Sequence, residues 1–166
     1  MLLPSKFRAR RTGMGYARLA AFSNCSTVNT SSNPLSATAM LLAAGRGERM
    51  RPLTDTCPKP LLQVQGKPLM QWPMEALARG GFDQVVVNTA WLGEQIEQQF
   101  GSAFGTQHIQ YSHEGRDFGG ALETAGGIAR ALPQLGEVFW VLAGDVYAPD
   151  FVFAQDAVTR FVQSGM

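Results

Sequence analysis

The sequence predicts an α/β protein with a Rossmann-like, three-layer α/β/α arrangement around a mostly parallel sheet. Apolar runs typical of buried parallel strands, such as Thr38–Ala44 and Val138–Gly144, alternate with stretches of helical period. This alternation and its spacing are typical of βαβ units. Two polar loops follow such strands, Gly45–Thr54 and Gly144–Tyr147. Because open sheets bind ligands beyond the carboxyl ends of their strands, we expect the functional site at these loops.

The elements can be assigned in order along the chain. Strands are expected at Thr38–Ala44, Gln84–Asn88, His108–Ser112 and Val138–Gly144. Helices are expected from Pro68 to about Gly80, at Leu92–Phe100, at Ala125–Leu132 and over residues 150–163. Pro73 lies inside the first helical pattern and should kink that helix or delay its start.

Length and charge indicate one folded domain without a nucleic-acid surface. The chain has 166 residues, of which 38–166 are expected to form a domain with its own core. Residues 1–39 carry five Lys or Arg and no acid, whereas residues 40–166 carry nine Lys or Arg and thirteen acids. A mildly acidic body argues against binding to nucleic acid, so a basic site must be local.

Residues 1–37 are expected to be a disordered, basic extension. Eleven of the sixteen residues from Ser23 to Thr38 are Ser, Thr or Asn, and such a stretch buries too little apolar surface to offset its ordering entropy. An Arg-rich, Ser-rich segment without acids is also typical of an organellar transit peptide. A start codon assigned upstream of a true start near Met40 and a functional tail are the other interpretations.

Cysteine usage and hydropathy favour a cytoplasmic protein with no membrane partner. Cys25 and Cys57 lie in dissimilar contexts without CxxC spacing, as expected for free thiols in a reducing compartment. No apolar run approaches the roughly 18–20 residues that a membrane span requires. His108 and His113 lack the ligand pattern of a zinc site.

The most distinctive stretch is LLAAGRGERMRPLT, Leu41–Thr54. Met50 occupies the position where both a Walker A loop and a dinucleotide fingerprint require glycine. A nicotinamide or flavin site also needs an acidic ribose-binding residue about 20 residues further on, and the sequence offers none there. Gly45 and Gly47 by themselves are compatible either with an ordinary turn of positive φ or with a loop that approaches an anion.

The charge around this loop favours the anion. Five of the nine cations in the body fall within 22 residues, namely Arg46, Arg49, Arg51, Lys59 and Lys67. Glu48 and Asp55 are the only acids among them. Glycine lets backbone N–H groups approach phosphate oxygens, and Arg adds planar, bidentate contacts. Lys59 lies between two prolines that restrict the backbone around it, so we expect it to point at a ligand.

These residues carry a family resemblance. LAAGRGERMRPLT, followed by PKPLL, resembles the signature of the sugar-1-phosphate nucleotidyltransferases, and every fixed position of that signature is matched. The resemblance covers residues 39 to about 160 and implies the nucleotide-diphospho-sugar transferase fold. The segments NTAWLGEQIEQQFG, YSHEG, ALETAGGIARALPQLG and AGDV resemble the branch of the family that transfers a uridylyl group to N-acetylmuramate 1-phosphate in peptidoglycan recycling.

The resemblance implies a reaction and roles for its residues. A sugar 1-phosphate oxygen attacks the α-phosphorus of a nucleoside triphosphate, UTP by resemblance, and pyrophosphate leaves. Arg49 would hold the triphosphate and stabilise the pentacoordinate centre, Lys59 would bridge toward the α-phosphate or the sugar phosphate, and Asp145 would bind Mg²⁺. The expected nucleotide-binding residues are Ala44, Gly45, Arg46, Gly47, Glu48, Arg49, Lys59, Glu114 and Gly126.

Three further expectations concern the second half of the site. Glu123–Gly127, ETAGG, aligns with a stretch that approaches the nucleobase and sugar in the family, although it could equally be a loop and a helix start. Gly115–Gly120 is expected to be a loop longer than in many relatives. Trp72, Trp91 and Trp140 are expected to fill the core or the packing between helices and sheet.

The family fold continues beyond the last residue of this sequence, with further strands and a second metal-binding aspartate. We therefore expect a fold that is incomplete at its C-terminal side. The alternative function is a catalytically inactive nucleotide-binding fragment or an interaction module.

Overall fold

The computed structural model describes residues 2–4 and 38–165. The strands are β1 Leu2–Pro4, β2 Thr38–Leu42, β3 Gln63–Val64, β4 Lys67–Pro68, β5 Gln84–Thr89, β6 Ala103–Phe104, β7 Gln107–His113 and β8 Val138–Ala143. The α-helices are α1 Gln71–Arg79, α2 Gly93–Phe100, α3 Glu114–Phe118, α4 Glu123–Ala131 and α5 Gln155–Gln163. Short 3-10 turns occupy Glu48–Met50, Lys59–Leu61 and Leu132–Gln134.

In the described part of the chain, six strands form the main sheet, in the order β1-β8-β2-β5-β7-β6. β8, β2, β5 and β7 are parallel to one another, and the short strands β1 and β6 pair antiparallel at the two edges. The expected mostly parallel sheet is thus confirmed. From β2 the chain adds β5 and β7 on one side and later places β8 on the other, so strand order reverses beside β2. Such a reversal is the point at which open α/β sheets bind ligands.

The strands are buried on both faces because successive apolar residues point to opposite sides. In β2, Ala39 and Leu41 belong to one core cluster, whereas Met40 belongs to another. The larger cluster contains residues of α1, α2 and α5, and the smaller one contains Ala131 of α4. Helices therefore cover both faces, and the three-layer α/β/α prediction is confirmed.

Three element assignments differ from the sequence predictions by more than two residues. Pro68 lies in β4, and α1 begins only at Gln71, so that Pro73 falls in its first turn, where a missing N–H is tolerated. The last helix begins at Gln155 instead of residue 150. The expectation of a loop over Gly115–Gly120 was wrong, because α3 follows β7 without a break and ends where Gly119 adopts a φ of 79°.

The basic N-terminal extension lies mostly outside the described residues. Its residues Leu2–Pro4 form β1, which pairs with Val138–Trp140 of β8. The expectation of disorder for the rest of residues 1–37 lies outside the described part of the chain, as does Cys25. Among the helices of residues 38–165, none combines the length and apolar character that a membrane crossing needs.

Candidate active site

A cleft of about 630 Å³ opens at the carboxyl ends of the four parallel strands. Its walls come from the loop after β2, the turn at Lys59, the ends of β5 and β7, the segment before α4 and the end of β8. The lining residues are Leu42, Ala43, Ala44, Gly45, Arg46, Gly47, Glu48, Arg49, Lys59, Pro60, Asn88, Glu114, Ala121, Glu123, Thr124, Ala143 and Asp145. All but one of the residues expected to bind nucleotide or metal therefore meet in one cavity, the exception being Gly126.

The two glycines of the loop have different roles. Gly47 has a φ of 68°, and a Cβ there would lie 3.1 Å from Thr54 Cγ2 and 3.3 Å from Lys59 Cβ. The Thr54 hydroxyl also donates a hydrogen bond of 2.9 Å to the Gly47 carbonyl. Gly45 has neither a positive φ nor any atom within 4 Å of an added Cβ. Gly47 is therefore required by the turn, whereas Gly45 leaves open space beside the backbone.

The five cations near the loop divide into two groups. Arg51 pairs with Asp55 at 2.7 Å, Lys67 pairs with Glu75 at 2.8 Å, and neither lines the cleft. The excess of cations that indicated an anion site therefore includes two that do not face the cleft. Arg46, Arg49 and Lys59 do line the cleft. Arg49 is exposed and has no ion-pair partner among the residues that the structure describes.

Lys59 and Asp145 meet across the cleft. Pro58 and Pro60 flank Lys59 in a 3-10 turn, and the Lys59 ammonium donates a hydrogen bond to Asp145 Oδ2 just after β8. Both side chains are partly buried, with 25% and 33% of their surface exposed. The pair thus joins the connection after β2 to the end of β8, on the two sides of the point where strand order reverses. A ligand phosphate entering there would meet a lysine whose position is already set.

Asp145 has the donor chemistry that Mg²⁺ requires. Within residues 2–4 and 38–165, no three acidic, histidine or cysteine side chains cluster closely enough to hold a metal by themselves. Mg²⁺ commonly binds through one or two carboxylates together with substrate phosphate oxygens. A single carboxylate at a strand end, beside a polyphosphate-sized cleft, fits this mode.

The floor of the cleft contains a buried amide and carboxylate pair. Asn88 at the end of β5 donates a 2.7 Å hydrogen bond to Glu114 Oε1, and Glu114 Oε2 accepts one of 2.7 Å from the Leu122 backbone N–H. Glu114, expected to contact the nucleotide, thus has both oxygens bonded within the protein. Asn88 was missed by the sequence analysis, although a polar residue directly after a run of valines at a strand end was the available signal.

Gly126 does not lie on the wall of the cleft. A Cβ on Gly126 would instead contact Leu122 Cβ at 2.8 Å. Its neighbour Gly127 is the residue that touches the site, because a Cβ there would lie 2.6 Å from Glu114 Oε1 and 2.8 Å from Asn88 Nδ2. Gly127 therefore packs closely against side chains of the floor. The approach of ETAGG to a nucleobase and sugar stays a prediction.

Of the three tryptophans, Trp140 packs against the main core cluster as expected. Trp72 and Trp91 are half-buried like Trp140 but do not pack against the core clusters. Trp72 donates a 3.2 Å hydrogen bond from α1 to the Val64 carbonyl in β3. The Trp91 indole N–H donates a 2.9 Å hydrogen bond to the Thr54 carbonyl, and its ring lies 3.7 Å beneath the Arg46 guanidinium. Trp91 therefore supports the loop from below. Burial raises the pKa of the Cys57 thiol, two residues from Lys59, and so disfavours its reactive thiolate form.

The fold resembles solved nucleotidyltransferase structures. It is similar to CTP:phosphocholine cytidylyltransferase of Streptococcus pneumoniae, with a TM-score of 0.58 and 26% identity, over 74% of this chain and 50% of that one. The nucleotide-diphospho-sugar transferase fold is thereby confirmed. The sequence of residues 38–165 also matches the nucleotidyl transferase family. The chain belongs to that family.

Two curated relatives refine this placement. N-acetylmuramate α-1-phosphate uridylyltransferase of Neisseria meningitidis serogroup B is 60% identical over 111 residues, which are 65% of this chain and 46% of the relative. UTP–glucose-1-phosphate uridylyltransferase of Synechocystis is 44% identical over 117 residues, 64% of this chain and 30% of the relative. This chain thus spans less than half the length of either relative in the matched region.

Proposed function

We propose that this protein belongs to an enzyme system that transfers a nucleotidyl group from a nucleoside triphosphate to a sugar 1-phosphate, with release of pyrophosphate. The observation that carries the proposal is the Lys59–Asp145 pair beside a glycine loop whose Arg49 is exposed and unpaired within the described residues. The 60% identity to an N-acetylmuramate α-1-phosphate uridylyltransferase supports UTP and N-acetylmuramate 1-phosphate as the substrates. These substrates correspond to a role in peptidoglycan recycling in the cytoplasm, the compartment that contains nucleoside triphosphates.

The proposed reaction needs no protein nucleophile. An oxygen of the sugar phosphate forms a bond to the α-phosphorus of UTP, while the bond from that phosphorus to the bridging oxygen breaks and pyrophosphate leaves with the electron pair. Two anions must be brought together, so binding, orientation and charge neutralisation supply the rate acceleration. Open space beside Gly45 admits a phosphate close to the backbone, and the Arg49 guanidinium supplies bidentate donors for the triphosphate.

Lys59 and Asp145 divide the remaining roles. With a phosphate in the cleft, the Lys59 ammonium can donate to a phosphate oxygen in place of Asp145 Oδ2, which frees that carboxylate oxygen. Bound Mg²⁺, held by Asp145 and phosphate oxygens, would supply neutralisation of the charge that develops on the triphosphate. Lys59 would thereby orient the reacting phosphate beside Asp145.

The direct test is incubation of the purified chain with UTP, Mg²⁺ and a panel of sugar 1-phosphates, with pyrophosphate as the readout. Pyrophosphate released with N-acetylmuramate 1-phosphate and not with glucose 1-phosphate is the expected result. The Asp145→Asn variant, which keeps the shape of the side chain, serves as the matched control and should release none. If the chain binds UTP but releases no pyrophosphate with any sugar phosphate, the transferase proposal is overturned and the chain is a nucleotide-binding module.

A further inference from the structure

A continuous chain of hydrogen bonds crosses the floor of the cleft. The Ala43 backbone N–H donates to Asn88 Oδ1, Asn88 Nδ2 donates to Glu114 Oε1, and Glu114 Oε2 accepts from the Leu122 N–H, each at 2.7 Å. Asn88 is 3% exposed and Glu114 is fully buried. These hydrogen bonds thus link the start of the loop after β2 to the segment that precedes α4.

Packing leaves this chain of hydrogen bonds little freedom to move. A Cβ on Gly127 would approach both side chains to less than 3 Å, and a Cβ on Gly115, next to Glu114, would lie 2.8 Å from Ala90 Cα. The Gly127 backbone therefore packs directly against the pair, and the backbone next to Glu114 packs against Ala90. A buried carboxylate is stabilised only while its oxygens keep their donors, so the pair fixes the position of the Leu122 N–H.

The segment held in this way forms one end of the cleft. Ala121, Glu123 and Thr124 line it, and Glu123 has a φ of 59°, a conformation that non-glycine residues adopt only when their surroundings hold them there. β7, which ends next to Glu114, lies three strand positions from β8, which ends near Asp145. This separation is about 14 Å at the usual spacing of strands. With the phosphates at the Asp145 end, the opposite end is left for the nucleoside.

We propose that Asn88 and Glu114 are positioning residues for nucleoside recognition. They hold Ala121–Thr124 at a fixed distance from the phosphate-binding loop, so that a bound nucleotide meets both at once. Neither side chain has to touch the nucleotide for this. The inference rests on the proposed function, because it requires that the cleft holds a nucleoside triphosphate.

The donors and acceptors of these hydrogen bonds allow a specific test. In Glu114→Gln, the side chain faces two donors, Asn88 Nδ2 and the Leu122 N–H, because Asn88 must accept from Ala43 and so keeps its Nδ2 toward position 114. The NH2 group of the glutamine amide therefore faces a donor whichever way the amide is turned. In Asn88→Asp, two carboxylates face each other. The double variant Asn88→Asp with Glu114→Gln restores every link. The carboxylate introduced at position 88 accepts from Ala43 and from the new amide, whose oxygen accepts from Leu122. Shape and total charge are also kept.

Equilibrium binding of UTP and of inorganic tripolyphosphate, measured calorimetrically on the wild type and these three variants, separates the two ends of the cleft. Glu114→Gln should weaken UTP binding about 10-fold, the effect of losing one buried hydrogen bond, and change tripolyphosphate binding by less than about 3-fold. The double variant should bind UTP within about 3-fold of the wild type. Amide hydrogen exchange at Leu122 should speed up in Glu114→Gln and return to the wild-type rate in the double variant.

Three results would overturn the inference. Glu114→Gln could bind UTP as tightly as the wild type, or lose UTP and tripolyphosphate equally, or the double variant could bind no better than the single ones. Each is distinguishable from failure of the proposed transfer reaction, in which the wild type binds UTP and releases no pyrophosphate. A wild-type chain that binds no nucleoside triphosphate would overturn both.

Discussion

The two sides of the cleft are built in opposite ways. On the loop side, the cavity wall includes the exposed Arg49 side chain and the open space beside Gly45. On the floor side, Asn88 and Glu114 are buried and joined by hydrogen bonds to backbone on either side. Exposed groups without partners contribute little to folding, whereas buried polar groups cost free energy when a partner is lost. Arg49 and Gly45 on the loop side can therefore be altered with an effect on ligands alone, whereas Asn88 and Glu114 on the floor side cannot.

The largest expected effect lies on the loop side. Arg49→Ala should lower the turnover number by about 10²- to 10³-fold, the usual cost of removing one preorganised donor in an active site. Its melting temperature should match the wild type, because Arg49 has no ion pair within the described residues. Arg51→Ala is the matched control, since Arg51 pairs with Asp55 and does not line the cleft. A destabilised Arg49→Ala protein would contradict the contrast between the two sides.

The two loop glycines sharpen the comparison within a single turn. Gly47→Ala should lower the free energy of unfolding by about 1–3 kcal/mol, because it forces a side chain into a left-handed conformation. The crowding of Thr54 and Lys59 at this position adds to the strain. Gly45→Ala should leave the free energy of unfolding unchanged and raise the Kd for UTP. Denaturant unfolding and calorimetry on both variants check this, and equal destabilisation by the two substitutions would refute it.

Trp91 connects the loop side to the rest of the fold, so its replacement should have an intermediate effect. Trp91→Leu removes the hydrogen bond to the Thr54 carbonyl and the ring beneath Arg46. The two contacts together contribute about 1–2 kcal/mol to holding the loop in its binding conformation. Without them, tripolyphosphate binding should weaken about 10-fold, because binding must then order the loop. Trp91→Phe keeps a ring and should lose about half of that free energy. If both variants bind tripolyphosphate like the wild type, the loop is rigid without Trp91.

The smallest effect concerns charges outside the cleft. The hydrogen bond from Lys67 lowers the pKa of Glu75, with a further contribution from Gln71, against the opposing effect of burial. A lowered carboxylate pKa stabilises the fold above the unfolded value of about 4.3, and this contribution is lost as pH falls through the folded value. Glu75→Gln should therefore lower the free energy of unfolding at pH 7 by less than about 1 kcal/mol, and by progressively less as the pH falls below the unfolded pKa. Denaturant unfolding over a pH series measures this, and a difference that does not shrink with falling pH would assign the effect to packing.

The parts of the fold that the sequence predicted are those governed by local pattern. Strand and helix periods gave the parallel sheet and its two covering layers, because alternation of burial is set by neighbouring residues. The loop after β2 was predicted as an anion site because its glycines and cations are adjacent in sequence. The interpretation of Gly45 and Gly47 had to stay open, since only the structure shows which of them has a positive φ.

The parts that were missed depend on contacts between distant residues. Asn88 accepts a hydrogen bond from the Ala43 backbone N–H, 45 residues earlier, and the sequence of its own strand does not indicate that partner. Which cations face the cleft was likewise decided by Asp55 and Glu75, which neutralise Arg51 and Lys67 elsewhere. Gly127 in place of Gly126 is a shift of one residue, about 100° around a helix. Sequence pattern alone does not resolve that rotation where two glycines are adjacent.

The pairing of β1 with β8 has a consequence for the order in which the protein assembles and opens. Leu2–Pro4 pair with residues that lie 134 to 138 positions later in the sequence. A contact between such distant residues carries the largest loop-closure entropy, and a three-residue strand returns few hydrogen bonds for it. This edge should therefore form after the rest of the sheet and open before it. The outer edge of β8, the strand that ends beside Asp145, should therefore lose and regain its partner strand more often than the interior strands do.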